Sequence, residues 1–295
     1  MSAFPRCLPL AVVGLLAVLA PAIAGDLTVT IRQGPVYPGD VVRVTVRAPE
    51  DAGSIVATWQ EREVPLARQS DGTWDGLIGI DIADEGGSRS VQVKALHTNG
   101  SATAATLEFV VDHRTLRTRR IRVNPRFVTP PASALARIKE ESERLSALFN
   151  TTSPGRHWAP DAVRPVEGVA VSGFGVRTIM NGQPGGPHNG LDLAAPTGTP
   201  IYAPAAGVVV YARDLYYTGN TVIVDHGQGL YSTMAHMSAM DVREGDAVLK
   251  STLLGKVGAT GRVTGPHLHW GMRLHGARVD PLSLIDALAT KSSTR

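Results

Sequence analysis

Two histidines near the C-terminus stand on alternate positions, in the stretch "TGPHLHWGM". In a β-strand, side chains at positions i and i+2 point to the same face, so His267 and His269 would converge on one side of a sheet. For an isolated pair, the simpler interpretation is two polar residues on a solvated strand face. The pair therefore predicts a metal site only if further ligands accompany it.

Further candidate ligands precede this pair. The stretch "HNGLD" places His188 and Asp192 four residues apart, and an even spacing on an extended segment again directs both side chains to one face. With His269 they supply two imidazoles and one carboxylate, a set that suits zinc and leaves one position for water. His236 and His267 remain as imidazoles able to hold or move a proton near neutral pH. The helical H-E-x-x-H signature is absent, so a thermolysin-like architecture is not indicated.

The elements that must position these side chains are predicted to be mainly β. A chain of 295 residues suggests two domains, and its 31 glycines and 20 prolines favour many turns and strands over long helices. The formal net charge of +3 is compatible with attraction to an anionic polymer. It is far from the charge typical of a nucleic-acid-binding protein, so we expect no nucleic-acid partner.

The N-terminus has the pattern of a secretory signal. Residues 1–24 contain one early arginine, an apolar run and "AIA" before a glycine, which predicts cleavage after Ala24. We expect export to the periplasm or cell envelope; a retained membrane anchor is the alternative. Cys7, the only cysteine, lies in this segment, so the mature chain could form no disulfide, and a metal site would use nitrogen and oxygen ligands.

Residues 25–112 are predicted to form an immunoglobulin-like β-sandwich without a disulfide. Seven short runs, several alternating apolar with polar residues, are separated by turn signals such as "PGD" and "DG". The runs are "LTVTI", "VVRVTVR", "SIVATWQ", "VPLAR", "TWDGLIGI", "SVQVKAL" and "ATLEFVV". Trp59 and Trp74 are interpreted as packing residues. We expect this domain to be a spacer or an interaction module.

Residues 113–165 are predicted to form a basic linker and an amphipathic helix. The stretch "HRTLRTRRIRVNPRF" holds six arginines and no acid. It could dock an anionic wall polymer or serve as a solvated connector. From Ser133 to Phe149 the spacing predicts a helix with four apolar side chains along one side, namely Leu135, Ile138, Leu145 and Leu148.

The C-terminal part resembles a known family. The blocks "VSGFGVR", "HNGLDLAAPTGTPIYAPAAGVVVYA", "GNTVIVDHGQGLYSTMAHMS" and "GATGRVTGPHLHWGM" are similar to successive motifs of the lysostaphin-type (LytM-like) zinc metallopeptidases. The lead-in with "NPRFVTPP" resembles cell-wall members from didermic bacteria, the peptidoglycan DD-endopeptidase group. The resemblance implies an antiparallel β peptidase domain of the duplicated-hybrid-motif type over residues 166–287, followed by a tail over 288–295.

The resemblance also implies roles for the site residues. One zinc per chain would be held by His188, Asp192 and His269, with His236 and His267 as catalytic histidines; of these we favour His267 as the base. The implied reaction is hydrolysis of peptide cross-links in peptidoglycan, with D-alanyl-diaminopimelate as the expected bond. The alternative is a noncatalytic LytM-like scaffold that binds the wall or activates amidases. The complete set of ligands and histidines favours the enzyme.

Two further hypotheses concern the surroundings of the site. Residues 113–165, together with the glycine-rich approach "PGGPHNG", could cover the groove and hold the enzyme latent, although the linker could also act only as a spacer. Phe174 and Arg177 are candidates for lining the groove. His226, in "DHG", is interpreted as a residue of the turn that ends a strand, outside the metal shell.

Overall fold

The computed structural model of the protein describes residues 21–32 and 34–289. Within these ranges the chain is mainly β, as predicted, with antiparallel sheets and two α-helices. Most of the predicted signal peptide, including Cys7, and the end of the predicted tail lie outside the described residues. Ala22–Ala24, the last three residues of that signal, form the first strand.

The N-terminal domain consists of two antiparallel sheets. Its strands in chain order are β1 (Ala22–Ala24), β2 (Leu27–Ile31), β3 (Val41–Arg47), β4 (Ala52–Trp59), β5 (Arg62–Val64), β6 (Ala67–Arg68), β7 (Trp74–Gly79), β8 (Gly87–His97) and β9 (Ala102–Val111). One sheet has the order β1-β2-β3-β7-β6 and the other β5-β4-β8-β9. The alternating apolar residues of both sheets face each other and form one buried core.

One predicted strand of this domain is divided between the two sheets. The run "VPLAR" was expected to be continuous, but Val64 ends β5 in one sheet and Ala67 begins β6 in the other. Pro65 lies at the crossing, where its missing N–H removes a ladder hydrogen bond. Trp59 is buried and stacks on Phe109 with 5.6 Å between ring centroids, which confirms its interpretation as a packing residue.

The connecting segment contains regular structure near its start. β10 (Thr118–Ile121) is followed by a 3₁₀ turn (Pro125–Phe127) and by α1 (Ala132–Phe149), close to the predicted helix. The apolar side of α1 differs from the prediction at its N-terminal end. Leu135 is exposed and Ala134 is buried instead. Further along, Leu145 and Leu148 pack against the C-terminal domain as predicted.

The C-terminal domain is built on a large antiparallel sheet. Its elements are β11 (Val169–Ser172), β12 (Arg177–Met180), β13 (Gln183–Pro187), β14 (Gly190–Ala194), β15 (Pro200–Tyr202), β16 (Gly207–Leu215), β17 (Gly219–Gly227), β18 (Leu230–Met240), β19 (Ala247–Val248), β20 (Leu253–Val257), β21 (His267–Leu274), β22 (Ala277–Val279) and α2 (Pro281–Leu288). The main path of the sheet is β11-β14-β21-β18-β17-β16-β19, and β20 joins it at β18. A separate three-stranded sheet has the order β10-β12-β13, so the connecting segment contributes its edge strand.

The two domains are packed together. Val41 and Leu77 of the sandwich belong to the buried core of the C-terminal domain. Asp81 of the sandwich accepts hydrogen bonds from the backbone N–H and the guanidinium of Arg278, at 2.5–3.0 Å. In the part of the chain that the structure describes, no helix is long and apolar enough to span a bilayer.

Candidate metal centre and cleft

The register of two neighbouring strands brings the candidate ligands together. In the antiparallel pair β14–β21, Asp192 lies directly opposite His269. His188 lies two residues before β14, where its N–H donates to the carbonyl of Val176 and its own carbonyl accepts from Gly175. His267 and His269 are alternate residues of β21, so they share a face as the spacing predicted.

Three donor atoms converge on one point. Nε2 of His188 lies 2.9 Å from Oδ1 of Asp192, Nδ1 of His269 lies 3.0 Å from the same oxygen, and the two nitrogens are 3.0 Å apart. Within the described residues this is the group of histidine and acidic side chains that could hold a metal ion, and its members are at least half buried. Two nitrogens and one carboxylate oxygen in a triangle fit the three protein ligands of a catalytic zinc site.

The protein matrix orients these donors. Nδ1 of His188 donates to the carbonyl of Gly173 at 3.1 Å, which leaves the lone pair of Nε2 directed at the centre of the triangle. Burial alone would raise the pKa of Asp192, but hydrogen bonds with His188 and His269 hold it well below its ordinary value. Burial lowers the pKa of His269. Both shifts favour the forms that ligate metals, an ionised carboxylate and a neutral imidazole.

Two more imidazoles border the triangle. Nδ1 of His236 donates to the carbonyl of Thr260 at 2.8 Å, and Nδ1 of His267 donates to the carbonyl of Gly265 at 2.8 Å. Because these carbonyls can only accept, Nδ1 carries a hydrogen in each ring, and the neutral form of each ring has its lone pair on Nε2. The ring centroids of His236 and His267 are 4.9 Å apart, and Nε2 of His267 lies 3.7 Å from Oδ1 of Asp192.

His236 has an unusual backbone and environment. Its φ of 64° lies in the left-handed region, which non-glycine residues rarely occupy and which recurs at functional sites. Burial, followed by the neighbouring imidazoles of His269 and His267, lowers the pKa of His236 to about 3. The ring is therefore neutral at neutral pH and acts as a hydrogen-bond acceptor through Nε2.

The five residues lie in a cleft of about 760 Å³. Its wall includes residues of β10, of the β12–β13 hairpin and of the loops before β17 and β21. Nη2 of Arg119 in β10 lies 3.5 Å from Oδ2 of Asp192, and its Nε donates to the hydroxyl of Thr178 at 3.2 Å. The basic segment thus contributes a cation, Arg119, to the cleft. The number of arginines in the segment did not predict that one of them would lie there.

One sequence-based expectation about the cleft was wrong. Phe174 is buried against Gly39 of the sandwich, and neither it nor Arg177 lines the cleft. The glycine-rich approach to His188 belongs to regular structure, since residues 177–187 form the hairpin β12–β13. A hairpin satisfies the backbone groups of this segment, so it lines the cleft as an ordered wall.

Gly190 is a residue of the site that the sequence reasoning missed. A Cβ atom at this position would lie 2.6 Å from Cε1 of His269 and 2.6 Å from the carbonyl oxygen of Trp270. The imidazole of His269 therefore rests directly on the backbone of Gly190. Its position between His188 and Asp192 in "HNGLD" could have marked Gly190 as part of the site. Its close approach to the ring of His269, however, depends on a contact between two strands.

His226 lies outside the metal shell, as interpreted, but it is a residue of strand β17 and not of the turn that follows this strand. It lies at the end of β17, completely buried, with Nδ1 donating to the carbonyl of Ala206 at 2.8 Å and Nε2 2.7 Å from the hydroxyl of Ser232. It does not line the cleft. Burial lowers its pKa to about 4.

Comparisons with known proteins agree on one family. Residues 186–281 match the family model described as Peptidase family M23. Peptidoglycan DD-endopeptidase ShyA of Vibrio cholerae is 43% identical over 96 residues, which are 32% of this chain and 22% of ShyA. DD-carboxypeptidase/endopeptidase Mpg of Neisseria meningitidis is 43% identical over 108 residues, 37% of this chain and 24% of Mpg. The match thus spans about a quarter of the length of these curated relatives.

A solved structure covers more of the chain. The crystal structure of an M23 peptidase candidate from Pseudomonas aeruginosa is 35% identical, with a TM-score of 0.67. The alignment covers 86% of this chain and 96% of the Pseudomonas chain. The similarity therefore extends well beyond the residues that match the family model.

Proposed function

The chain belongs to peptidase family M23, and from that membership we propose that it is a zinc metalloendopeptidase that hydrolyses peptide cross-links of peptidoglycan. The observation that carries the proposal is the convergence of His188, Asp192 and His269 within about 3 Å of one another, beside two further imidazoles. The names of ShyA and Mpg, which describe endopeptidases, support the same reaction class. The expected scissile bond is that between D-alanine and diaminopimelate.

We assign His188, Asp192 and His269 as the ligands of one zinc ion. Bound zinc would polarise the scissile carbonyl and make an adjacent water more acidic. The three side chains are held by the β14–β21 register and by the hydrogen bond from His188 to Gly173, so the site needs little rearrangement to bind the ion.

His267 is assigned as the base. Its Nε2 faces the ligand triangle, and its side chain is 14% exposed, so a positive charge on this ring is better solvated than one on the deeply buried His236. His267 takes the water proton and later gives it to the leaving amine. His236 stays neutral and orients the attacking water through the lone pair of Nε2.

The proposal is tested on purified sacculi and cross-linked muropeptides, with products identified by mass spectrometry in the presence and absence of a chelator. His236→Asn and His267→Asn should retain zinc and lose roughly 10²–10⁴ in hydrolysis rate. Asparagine is chosen because it tolerates the left-handed φ of His236. His188→Ala should lose zinc, whereas His97→Gln, in the sandwich, should behave as wild type.

The alternative noncatalytic scaffold makes the opposite prediction. A wall-binding or amidase-activating protein would bind sacculi and release no cleaved cross-links even when loaded with zinc. Wild-type rates in both the His236 and the His267 variants would show that these roles are misassigned.

We also propose that the chain is exported to the periplasm or cell envelope, where its substrate lies. The support is the signal pattern of residues 1–24. N-terminal sequencing of the protein recovered from the periplasm should begin at Gly25. That chain would lack β1, an edge strand of three residues. An N-terminus that begins at Met1 in the membrane fraction would indicate the retained anchor instead.

A further inference from the structure

One cation of the cleft has no acidic partner in the described part of the chain. Arg262 lies in the loop between β20 and β21 and lines the same cleft as the five site residues. Within residues 21–32 and 34–289, no carboxylate oxygen lies within 4.0 Å of its guanidinium. The other arginine of the cleft, Arg119, is paired with Asp192.

The guanidinium of Arg262 is held in place. Its Cζ lies 4.7 Å from the centroid of the Tyr217 ring, and its backbone N–H donates to the carbonyl of Tyr217 at 2.8 Å. Tyr217 packs edge-on against Tyr216 at 5.1 Å, and the hydroxyl of Tyr216 donates to the carbonyl of Arg126 at 2.7 Å. This chain of contacts orders the arginine before any ligand binds, which lowers the entropic cost of binding.

The charge balance of the cleft leaves Arg262 available for an anion. Among the residues that line the cleft, Asp192 is the acid, and it is already engaged by Arg119, His188 and His269. Arg262 is partly buried, and this burial lowers the pKa of its guanidinium. A guanidinium stays protonated in proteins, so a partly desolvated one favours a planar anion such as a carboxylate.

The two main kinds of peptide cross-link differ in whether a carboxylate is attached to the carbon that bears the scissile nitrogen. In a diaminopimelate cross-link, the carbon that bears the scissile nitrogen also bears a free carboxylate. In a lysine cross-link, the corresponding carbon is a methylene group. We propose that Arg262 binds the carboxylate next to the scissile nitrogen and so selects diaminopimelate-type over lysine-type cross-links. The inference rests on the proposed endopeptidase function and adds a residue that determines its specificity.

The test uses two synthetic cross-linked peptides that differ only in diaminopimelate or lysine at the position supplying the scissile nitrogen. The full-length zinc-loaded protein should have the higher kcat/KM on the diaminopimelate peptide, and Arg262→Gln should reduce that preference roughly 10- to 100-fold, as expected for loss of a charged hydrogen bond. Arg262→Lys keeps the charge without the planar fork and should retain part of the preference.

A matched control is available in α1. The Cζ of Arg144 lies 5.4 Å from the Tyr211 ring, outside the cleft, so Arg144→Gln removes a comparable stacked arginine and should leave the preference unchanged. Zinc content and the thermal unfolding midpoint are measured for every variant, and only variants equal to wild type in both are compared. An unchanged preference in Arg262→Gln, or equal cleavage of both peptides by wild type, overturns the inference. Cleavage of neither peptide by zinc-loaded wild type would instead overturn the proposed function.

Discussion

At the residue scale, the site depends on a glycine with no chemistry of its own. Gly190→Ala would place a Cβ 2.6 Å from Cε1 of His269 and 2.6 Å from the carbonyl oxygen of Trp270, so the ring and the strand that carries it must shift and distort the ligand triangle. We expect zinc affinity to fall about 10- to 100-fold, the range seen when the support of a metal ligand is lost. Competition with a chromophoric chelator measures the zinc affinity. Gly186→Ala is the control, because nothing lies within 4 Å of a Cβ there; equal affinities in both variants would contradict the argument.

His226 makes stability depend on pH. Its pKa is about 4 in the folded protein and about 6.5 when unfolded, so between these values the unfolded chain binds a proton that the folded chain excludes. The free energy of unfolding should therefore decrease as pH falls, by about 2 kcal/mol between pH 7.5 and pH 5.0 for this residue alone.

Urea denaturation of the zinc-loaded protein at the two pH values measures this dependence. His226→Gln should be less stable at pH 7.5, since it disrupts the contacts with Ala206 and Ser232, but should lose less stability on acidification than wild type. His97→Gln serves as the control. An identical loss in wild type and His226→Gln would show that other groups cause the pH dependence.

The common face of His267 and His269 could be predicted because an even spacing on a strand is local information, and both residues lie in β21. The same argument does not explain the meeting of His188 and Asp192, because His188 lies before β14 and only Asp192 belongs to that strand. His236 was proposed from the family resemblance and not from spacing. The contact between Gly190 and the ring of His269 could not be predicted from spacing. The two residues meet only because β14 pairs with β21, and the sequence around either residue does not indicate this pairing.

At the element scale, β10 connects the basic segment to the site. We propose that it partly occludes the metal centre, since Arg119 reaches to 3.5 Å from Asp192 and carries a charge that repels a metal ion. Arg119→Gln should raise kcat/KM on a cross-linked muropeptide at matched zinc content. Arg120→Gln is the control, because adjacent residues of a strand face opposite sides. A fall in kcat/KM together with weaker zinc binding would mean that Arg119 positions Asp192 instead.

The elements of the sandwich and α1 could be predicted from apolar periodicity and turn signals. β10 was missed because its sequence, "TRRI", has no apolar alternation and follows a charged run. It is a strand because β12 offers an edge for parallel pairing, from Thr118 opposite Arg177 to Ile121 opposite Met180. A strand whose pairing partner lies far along the chain is set by tertiary structure and not by local propensity.

At the scale of the whole molecule, a buried carboxylate joins the sandwich to the segment before the peptidase core. Asp75, 1% exposed, pairs with Arg43 and, at 2.6 Å, with Arg156. Asp75→Asn leaves two arginines without their counterion and should destabilise the protein by about 3–5 kcal/mol. Calorimetry measures the change. Glu244→Gln, which breaks an exposed pair with Arg213, should reduce the stability much less, because both charges remain in contact with water; a similar cost for both variants would contradict the assignment.

The shared core of the two domains predicts their unfolding behaviour. Because Val41 and Leu77 of the sandwich lie in the core of the C-terminal domain, we expect wild type to unfold in one cooperative transition. Two separate calorimetric transitions in the zinc-loaded protein would contradict this expectation.

The short connection between β9 and β10 couples the sandwich mechanically to the wall of the cleft. Residues 112–117 separate the two strands, and a fully extended chain of that length reaches about 20 Å. A pull on the sandwich beyond that reach would load the four-residue β10 along its axis and draw it off β12. The guanidinium of Arg119 would then leave Asp192 together with β10, so we expect mechanical tension between the two domains to open the cleft.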